Sequence, residues 1–294
     1  MKKKRSAGGI FLHIFLLGLS LTYILPLIMM ISISFSSESA VLEYGYSLFP
    51  KEFSLSAYQQ ALKNPYQIVN AYKVTIAFTL LDTILSIIIQ SLMGYPLSRP
   101  NFKFKRPLLI FLMITMFFSG GLVPSYILNT QYLHLGNTFW IYIFPSLMSA
   151  WNVILFKTYF SGLPEGLVEA AKIDGARESM VYFKIILPLS TPILATLAFT
   201  KALGCWNNWN TSLIYIRDSE LYSLQYLLQR ILNEADYVKQ MQGTAASALI
   251  TEDSMPTETL RYAMAILAAG PMMLIFPFFQ KYFAKGLVVG SVKG

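Results

Sequence analysis

The run Asn70-AYKVTIAFTLLDTILSIIIQSLMGYP-Leu97 decides the class of this chain. Its charges are Lys73 near the start and Asp82 near the middle. A helix needs about 20 mostly apolar residues to cross a hydrocarbon core roughly 30 Å thick. Working outward, five more stretches qualify: residues 10–35, 108–128, 139–156, 185–206 and 262–282. The composition agrees. Of 294 residues, 55% are hydrophobic and 13% are charged, about half the charge of a soluble domain. Mean hydropathy is +0.51. Aromatics at 15%, with only 17 Gly and 14 Pro, exclude disorder and collagen. One cysteine, Cys205, excludes an internal disulfide framework and a Cys-rich metal site. His13 and His134 stand alone, so no metal centre is expected. The expected fold is an all-α polytopic membrane protein, one transmembrane domain over residues 1–294.

The bases orient the spans. Lys2-Lys3-Lys4-Arg5 precedes the first run and raises the question of a cleaved signal peptide. That run is longer than the roughly 7–15 residues of a signal core, and no Ala-x-Ala site follows, so a retained helix is expected. With the N-terminus inside, the inner segments carry 15 bases and the outer ones 7, Lys201 lying within the fifth span. The positive-inside rule therefore places both ends in the cytoplasm. It also accounts for the net charge of +8 without nucleic acid. Pro26, Pro96, Pro145, Pro188 and Pro271 fall within or near spans, where neighbouring groups must satisfy the freed backbone.

Three connections are too long for simple turns. Residues 36–69 lie outside, with a short amphipathic helix expected over Leu55–Leu62. Residues 207–261 lie outside, with an apolar face formed by Leu221, Leu224, Leu227, Leu228, Ile231 and Leu232. That face either packs on the membrane surface or the protein, or docks a partner. Residues 157–184 lie inside and are the most informative. They contain Gly162-LPEGLVEAAKIDG-Ala176, continuing through Glu178 to Ile186-Leu187-Pro188. Pro164 suits a helix start. Asp174-Gly175 supplies a stop, because glycine adopts the left-handed cap conformation. Leu167, Ala170 and Ala171 share a face that another protein can approach closely, and Glu165 and Glu169 offer carboxylates to a basic partner.

At these residues the chain resembles a known family. Glu169-Ala170-Ala171, Gly175 and the trailing Ile186-Leu187-Pro188, set between the fourth and fifth of six spans, match the EAA loop of bacterial ABC-importer permeases. Phe118-SGGLV-Pro124, Trp206-Asn207-Asn208-Trp209 and Lys281-YFAK-Gly286 look like its carbohydrate-uptake branch, specifically oligosaccharide permeases of the LplC and YtcP kind. The resemblance implies the maltose-type permease fold, with six spans and a cytoplasmic coupling helix. It implies a second homologous permease, two ATPase subunits carrying ATP and Mg, and an extracytoplasmic solute-binding lipoprotein. Glu169, Ala170, Ala171, Asp174 and Gly175 would then couple to the ATPase. The chain has no Gly-x4-Gly-Lys-Ser/Thr phosphate loop, so a transport subunit without its own ATPase site and with no cofactor is expected.

Asp82 lies near mid-membrane, where a carboxylate is costly. It either lines a wet path or hydrogen-bonds another helix. Lys201 is near the outer end of its span and is expected to snorkel toward water. Trp206, Asn207, Asn208, Trp209 and Asn210 meet the outside. Aromatic faces and amides suit a sugar path; an interfacial aromatic belt explains the tryptophans alone. Two other classes compete. An ion-coupled secondary transporter would rely on Asp82 and Lys201 alone and shows no inverted repeat. A membrane-embedded enzyme would need a polar catalytic cluster at the membrane boundary, and none is evident.

Overall fold

The computed structural model describes residues 7–242 and 258–289. The Lys2–Arg5 cluster, Lys293 and residues 243–257 of the long outer loop lie outside the described residues. Regular structure among them is helical, apart from one isolated antiparallel bridge between Ser36 and Phe53. The helices are α1 (Ala7–Ser34), α2 (Glu38–Tyr44), α3 (Ser56–Ala61), α4 (Pro65–Ser98), α5 (Lys105–Phe117), α6 (Leu122–Ile127) and α7 (Ala150–Ser161). They continue as α8 (Glu165–Ile173), α9 (Glu178–Val181), α10 (Leu187–Leu189), α11 (Thr191–Trp206), α12 (Asn210–Tyr215), α13 (Leu224–Gln242) and α14 (Glu258–Val289).

Three helices are long and apolar enough to cross a membrane alone: Phe11–Ser34, Pro65–Ser98 and Glu258–Gln280. The other three expected spans are bent pairs. Lys105–Phe117 meets Leu122–Tyr132 at 111°, Phe139–Ser146 meets Ala150–Ser161 at 49°, and Glu178–Leu189 meets Thr191–Trp206 at 77°. Six spans result if each pair counts once. The first break falls at Gly120-Gly121, where Gly121 has φ +82° and ends any helix entering it. The second follows Pro145, and α7 restarts with Ser149 accepting the Asn152 N–H. The third has Pro188 and Pro192 on either side of Ser190; each lacks a backbone N–H. Six spans were expected, with prolines within or near them. Apolar content makes a run a span, but glycine and proline decide whether it stays straight.

The described residues fall into two compact units. One comprises residues 7–68, 228–242 and 258–271. In it Glu38 accepts the backbone N–H groups of Glu258 and Thr259, both at 2.9 Å, and so caps the start of α14. Arg261 pairs with Asp236 at 2.6 Å. Helix α1 turns apolar side chains outward on all sides, from Phe11 to Ile31, as suits a lipid-facing helix.

The other unit comprises residues 69–227 and 272–289. One apolar cluster joins Phe78, Tyr142, Ile143, Cys205 and Tyr222. A second joins Tyr95, Phe156, Phe160, Val168, Tyr182 and Leu197. Helices α4 and α7 cross closely at Gly94: a Cβ there would lie 2.6 Å from the Phe156 Cβ and 3.2 Å from the Lys157 backbone nitrogen. Small residues permit such approach between membrane helices. Leu224, Leu227 and Leu228 of the amphipathic outer run are buried.

Candidate functional site

The inner loop forms two helices about a left-handed glycine. Helix α8 begins directly after Pro164. Gly175 has φ +80°. The Gly175 N–H donates to the Lys172 carbonyl at 3.0 Å and the Ala176 N–H to the Ala171 carbonyl at 2.9 Å. This double bond pattern closes the helix end on a glycine. Val168 is buried, and Ala171 packs beside it. Leu167, Glu169 and Ala170 face outward, and Ile173 is 86% exposed. The small face expected from spacing therefore divides: Ala171 turns in, while Leu167 and Ala170 turn out. Asp174 caps the helix and is exposed.

One carboxylate that spacing did not single out ties this loop to α4. Glu178 receives Lys172 Nζ at 2.6 Å and the Tyr95 hydroxyl at 2.7 Å. Lys172, and then Tyr95, hold the Glu178 carboxyl below its ordinary range. Arg99 lies over the Tyr95 ring at 4.6 Å. Tyr182 and Ser91 share a 2.8 Å hydrogen bond. The base of α4 and the loop thus meet through charge, hydroxyl and ring contacts. They frame a cavity of about 660 Å³ that Glu165, Glu169 and Lys172 also line.

Asp82 is fully buried. It accepts from Ser86 Oγ at 2.9 Å, Ser146 Oγ at 2.6 Å and Cys205 Sγ at 3.1 Å. Lys201 Nζ lies 2.8 Å from it and 2.7 Å from the Ser146 carbonyl oxygen. Lys201 therefore does not snorkel. It turns inward, where the Asp82 carboxylate and the Ser146 carbonyl supply the partners that a cation taken out of water requires. Gln90 Nε2 reaches the next carbonyl, Leu147, at 2.7 Å, and Asn152 Nδ2 holds the Gln90 oxygen at 3.1 Å. Of the two readings of Asp82, the geometry gives the contact between helices.

At the outer end, Trp206 is buried and packs on Tyr72 at 6.3 Å. Asn207 Nδ2 donates to the Leu203 carbonyl at 2.9 Å, ending α11. Asn208 accepts the Thr211 N–H at 3.1 Å and starts the next turn. These two asparagines do capping work. Asn207, Trp209 and Asn210 are exposed.

Residues 74–289, spanning the bent helices and the inner loop, match the family described as "Binding-protein-dependent transport system inner membrane component". The chain belongs to that family. It is a multi-pass membrane protein with the ABC-importer permease fold. It is 36% identical over 280 residues to the polygalacturonan/rhamnogalacturonan transport system permease protein YtcP of Bacillus subtilis (strain 168), covering 95% of this chain and 96% of that one. It is 35% identical over 281 residues to Protein LplC of the same organism, with 96% and 93% covered. A solved bacterial ABC transporter involved in import of the acidic polysaccharide alginate contains a chain that superposes with TM-score 0.77 at 26% identity. That match covers 96% of this chain and all of the other.

Proposed function

We propose that this chain is one of two permease subunits in an ATP-driven importer of oligosaccharide in the bacterial cytoplasmic membrane. The observation that carries the reading is near full-length similarity to sugar permeases. YtcP is named for polygalacturonan and rhamnogalacturonan transport, the solved transporter is involved in alginate import, and other relatives are named for arabinooligosaccharides and galactooligosaccharides. In this reading both termini are cytoplasmic, in keeping with the 15-to-7 split of bases.

Helix α8, with Glu169, Ala170, Ala171, Asp174 and Gly175, docks on one of two ATPase subunits. Leu167, Ala170 and exposed Ile173 form its contact face. ATP and Mg bind on those partners, and this subunit hydrolyses nothing itself. A ligand-driven change crosses such a contact only if the contact differs between two states. The Lys172–Glu178–Tyr95 link then carries loop movement to the inner end of α4. A solute-binding lipoprotein delivers sugar at the outer face, where Trp209 and Asn210 are available. Trp206, Asn207, Asn208 and Asp82 shape the path from behind through packing and capping.

Copurification from native membrane should recover a second permease and an ATPase, and the reconstituted complex should hydrolyse ATP faster when glycan and binding protein are added. Uptake by this chain alone under an ion gradient would replace the reading with a secondary transporter. Impermeant thiol reagent should label Lys51→Cys from outside and leave Lys103→Cys untouched.

A further inference from the structure

Between α6, the turn before the second break and α12 lies a cavity of about 460 Å³. Its lining includes Ser125, Asn129, Tyr142, Phe144, Thr211 and Tyr215. It sits at the outer ends of the third to fifth spans, where cargo would arrive. The volume falls low in the range of about 300–1,000 Å³ usual for small-molecule sites. That suits a short piece of a glycan rather than a long chain.

The lining has the chemistry of a sugar site. Phe144 is 52% exposed and offers an aromatic face. Tyr215 is stacked on Tyr126 with ring centroids 5.6 Å apart, which fixes its plane. Asn129 is buried. Its Nδ2 donates to the Tyr215 hydroxyl at 3.3 Å, and its Oδ1 accepts from no described residue. The Tyr215 hydroxyl keeps its proton to give. Thr211 Oγ1 accepts from Asn208 Nδ2 at 2.9 Å and likewise keeps its proton. One acceptor and two donors thus stand near an aromatic face, the pattern that sugar hydroxyls and ring C–H groups match.

No charged side chain lines this cavity. The nearby Asp82 and Lys201 lie behind Ser146 and neutralise each other. A uronate carboxylate entering here would lose water and meet no arginine or lysine. We infer that the cavity is a sugar subsite of the permease and takes a neutral pyranosyl unit in preference to a uronate. The inference rests on the carbohydrate reading above and adds the place and charge of one contacted unit.

The test uses the complete complex, with its ATPases, second permease and binding protein, in proteoliposomes. Probes are a neutral set (raffinose, stachyose, arabinotriose) and an acidic set (di- and trigalacturonate). The neutral set should be taken up preferentially. Phe144→Ala and Asn129→Ala should each cut that uptake about tenfold, as expected for losing an aromatic face or a buried hydrogen-bond partner. Phe144→Trp should retain it. Ser125→Lys should shift the ratio of uptake toward the acidic set. All are read on complexes with the wild-type subunit ratio; should Asn129→Ala fail to assemble, exposed Phe144 and Ser125 still decide. Uptake of the acidic set as good as or better than the neutral one overturns the inference, as does wild-type neutral uptake by Phe144→Ala. If no glycan in either set moves, the carbohydrate reading itself falls.

Discussion

The inner loop and the cluster around Asp82 organise polar residues in opposite ways. In the loop, helix, cap and exposed face come from the contiguous residues 164–182, with Ser91 and Tyr95 borrowed from α4 and Arg99 from just beyond it. Around Asp82, five polar side chains arrive from three separate spans, with Asp82, Ser86 and Gln90 on α4, Ser146 in the broken span and Lys201 on α11. Water surrounds the loop, so its charges are affordable singly, and Glu165 and Glu169 stand exposed. Mid-membrane groups have no such solvent and must find one another. The loop consequently leaves charges open at its surface, whereas the cluster pairs its charges inside.

Breaking the cluster should have the largest effect. Lys201→Met leaves Asp82 buried without its cation and exposes the Ser146 carbonyl. We expect a loss of about 3–5 kcal/mol, read as a drop in the unfolding midpoint of purified protein. Asp82→Asn with Lys201→Met should recover more than half of it, since removing both partners avoids a lone buried charge. A double variant no better than Lys201→Met would mean that the carbonyl contact outweighs the ion pair.

Next is the helix crossing that holds the second span against the fourth. Gly94→Ala puts a methyl 2.6 Å from the Phe156 Cβ. Overpacking of this kind costs about 1–3 kcal/mol, visible in the same thermal assay. Full wild-type stability would show that the two helices can part freely.

In the loop, Gly175→Val forces a β-branched residue toward φ +80°. The strain is about 1–2 kcal/mol, local to an exposed turn, so insertion should persist while uptake falls. Gly175→Asn should be milder, because asparagine tolerates that region. Uptake unchanged in Gly175→Val would separate the turn from coupling.

The smallest stability effect is expected at Glu178→Gln, within about 1 kcal/mol, because its pair with Lys172 is half exposed. The sign of its pH dependence follows from the lowered carboxyl. A depressed folded value stabilises above the ordinary carboxylate range of about 4.3 and loses that contribution as pH falls through the folded value. Uptake should therefore show no Glu178-dependent change between about pH 8 and 5. Any such change there would mean that Glu178 is protonated in the working cycle.

Much of the molecule is legible in the order of residues. Six apolar runs and the stretch from Pro164 to Gly175 specify the spans and the turned loop through local properties alone, and the split of bases gives an expected orientation. Hydrophobic length and cap chemistry act within a few residues, and their effects need no partner. Pro188 was legible as a breaker and Gly120-Gly121 was not singled out, and neither gives the angles of 77° and 111°, which depend on what each half packs against. Lys201 could not be read from its distance to the membrane edge. A long side chain chooses between water and an internal partner by what lies across the helix interface, and that partner is 119 residues away in sequence, at Asp82. Asn207 and Asn208 similarly looked like presented amides, and became caps once α11 ended there. The cavity beside Asn129 and Phe144 left no motif at all. Its six named lining residues come from three stretches of chain, and only folding sets them around one space. Local sequence thus determined which segments enter the bilayer and where the chain turns. Tertiary packing decided which polar groups neutralise one another and which keep a free atom for cargo, because in a medium without water every such group is defined by its neighbours.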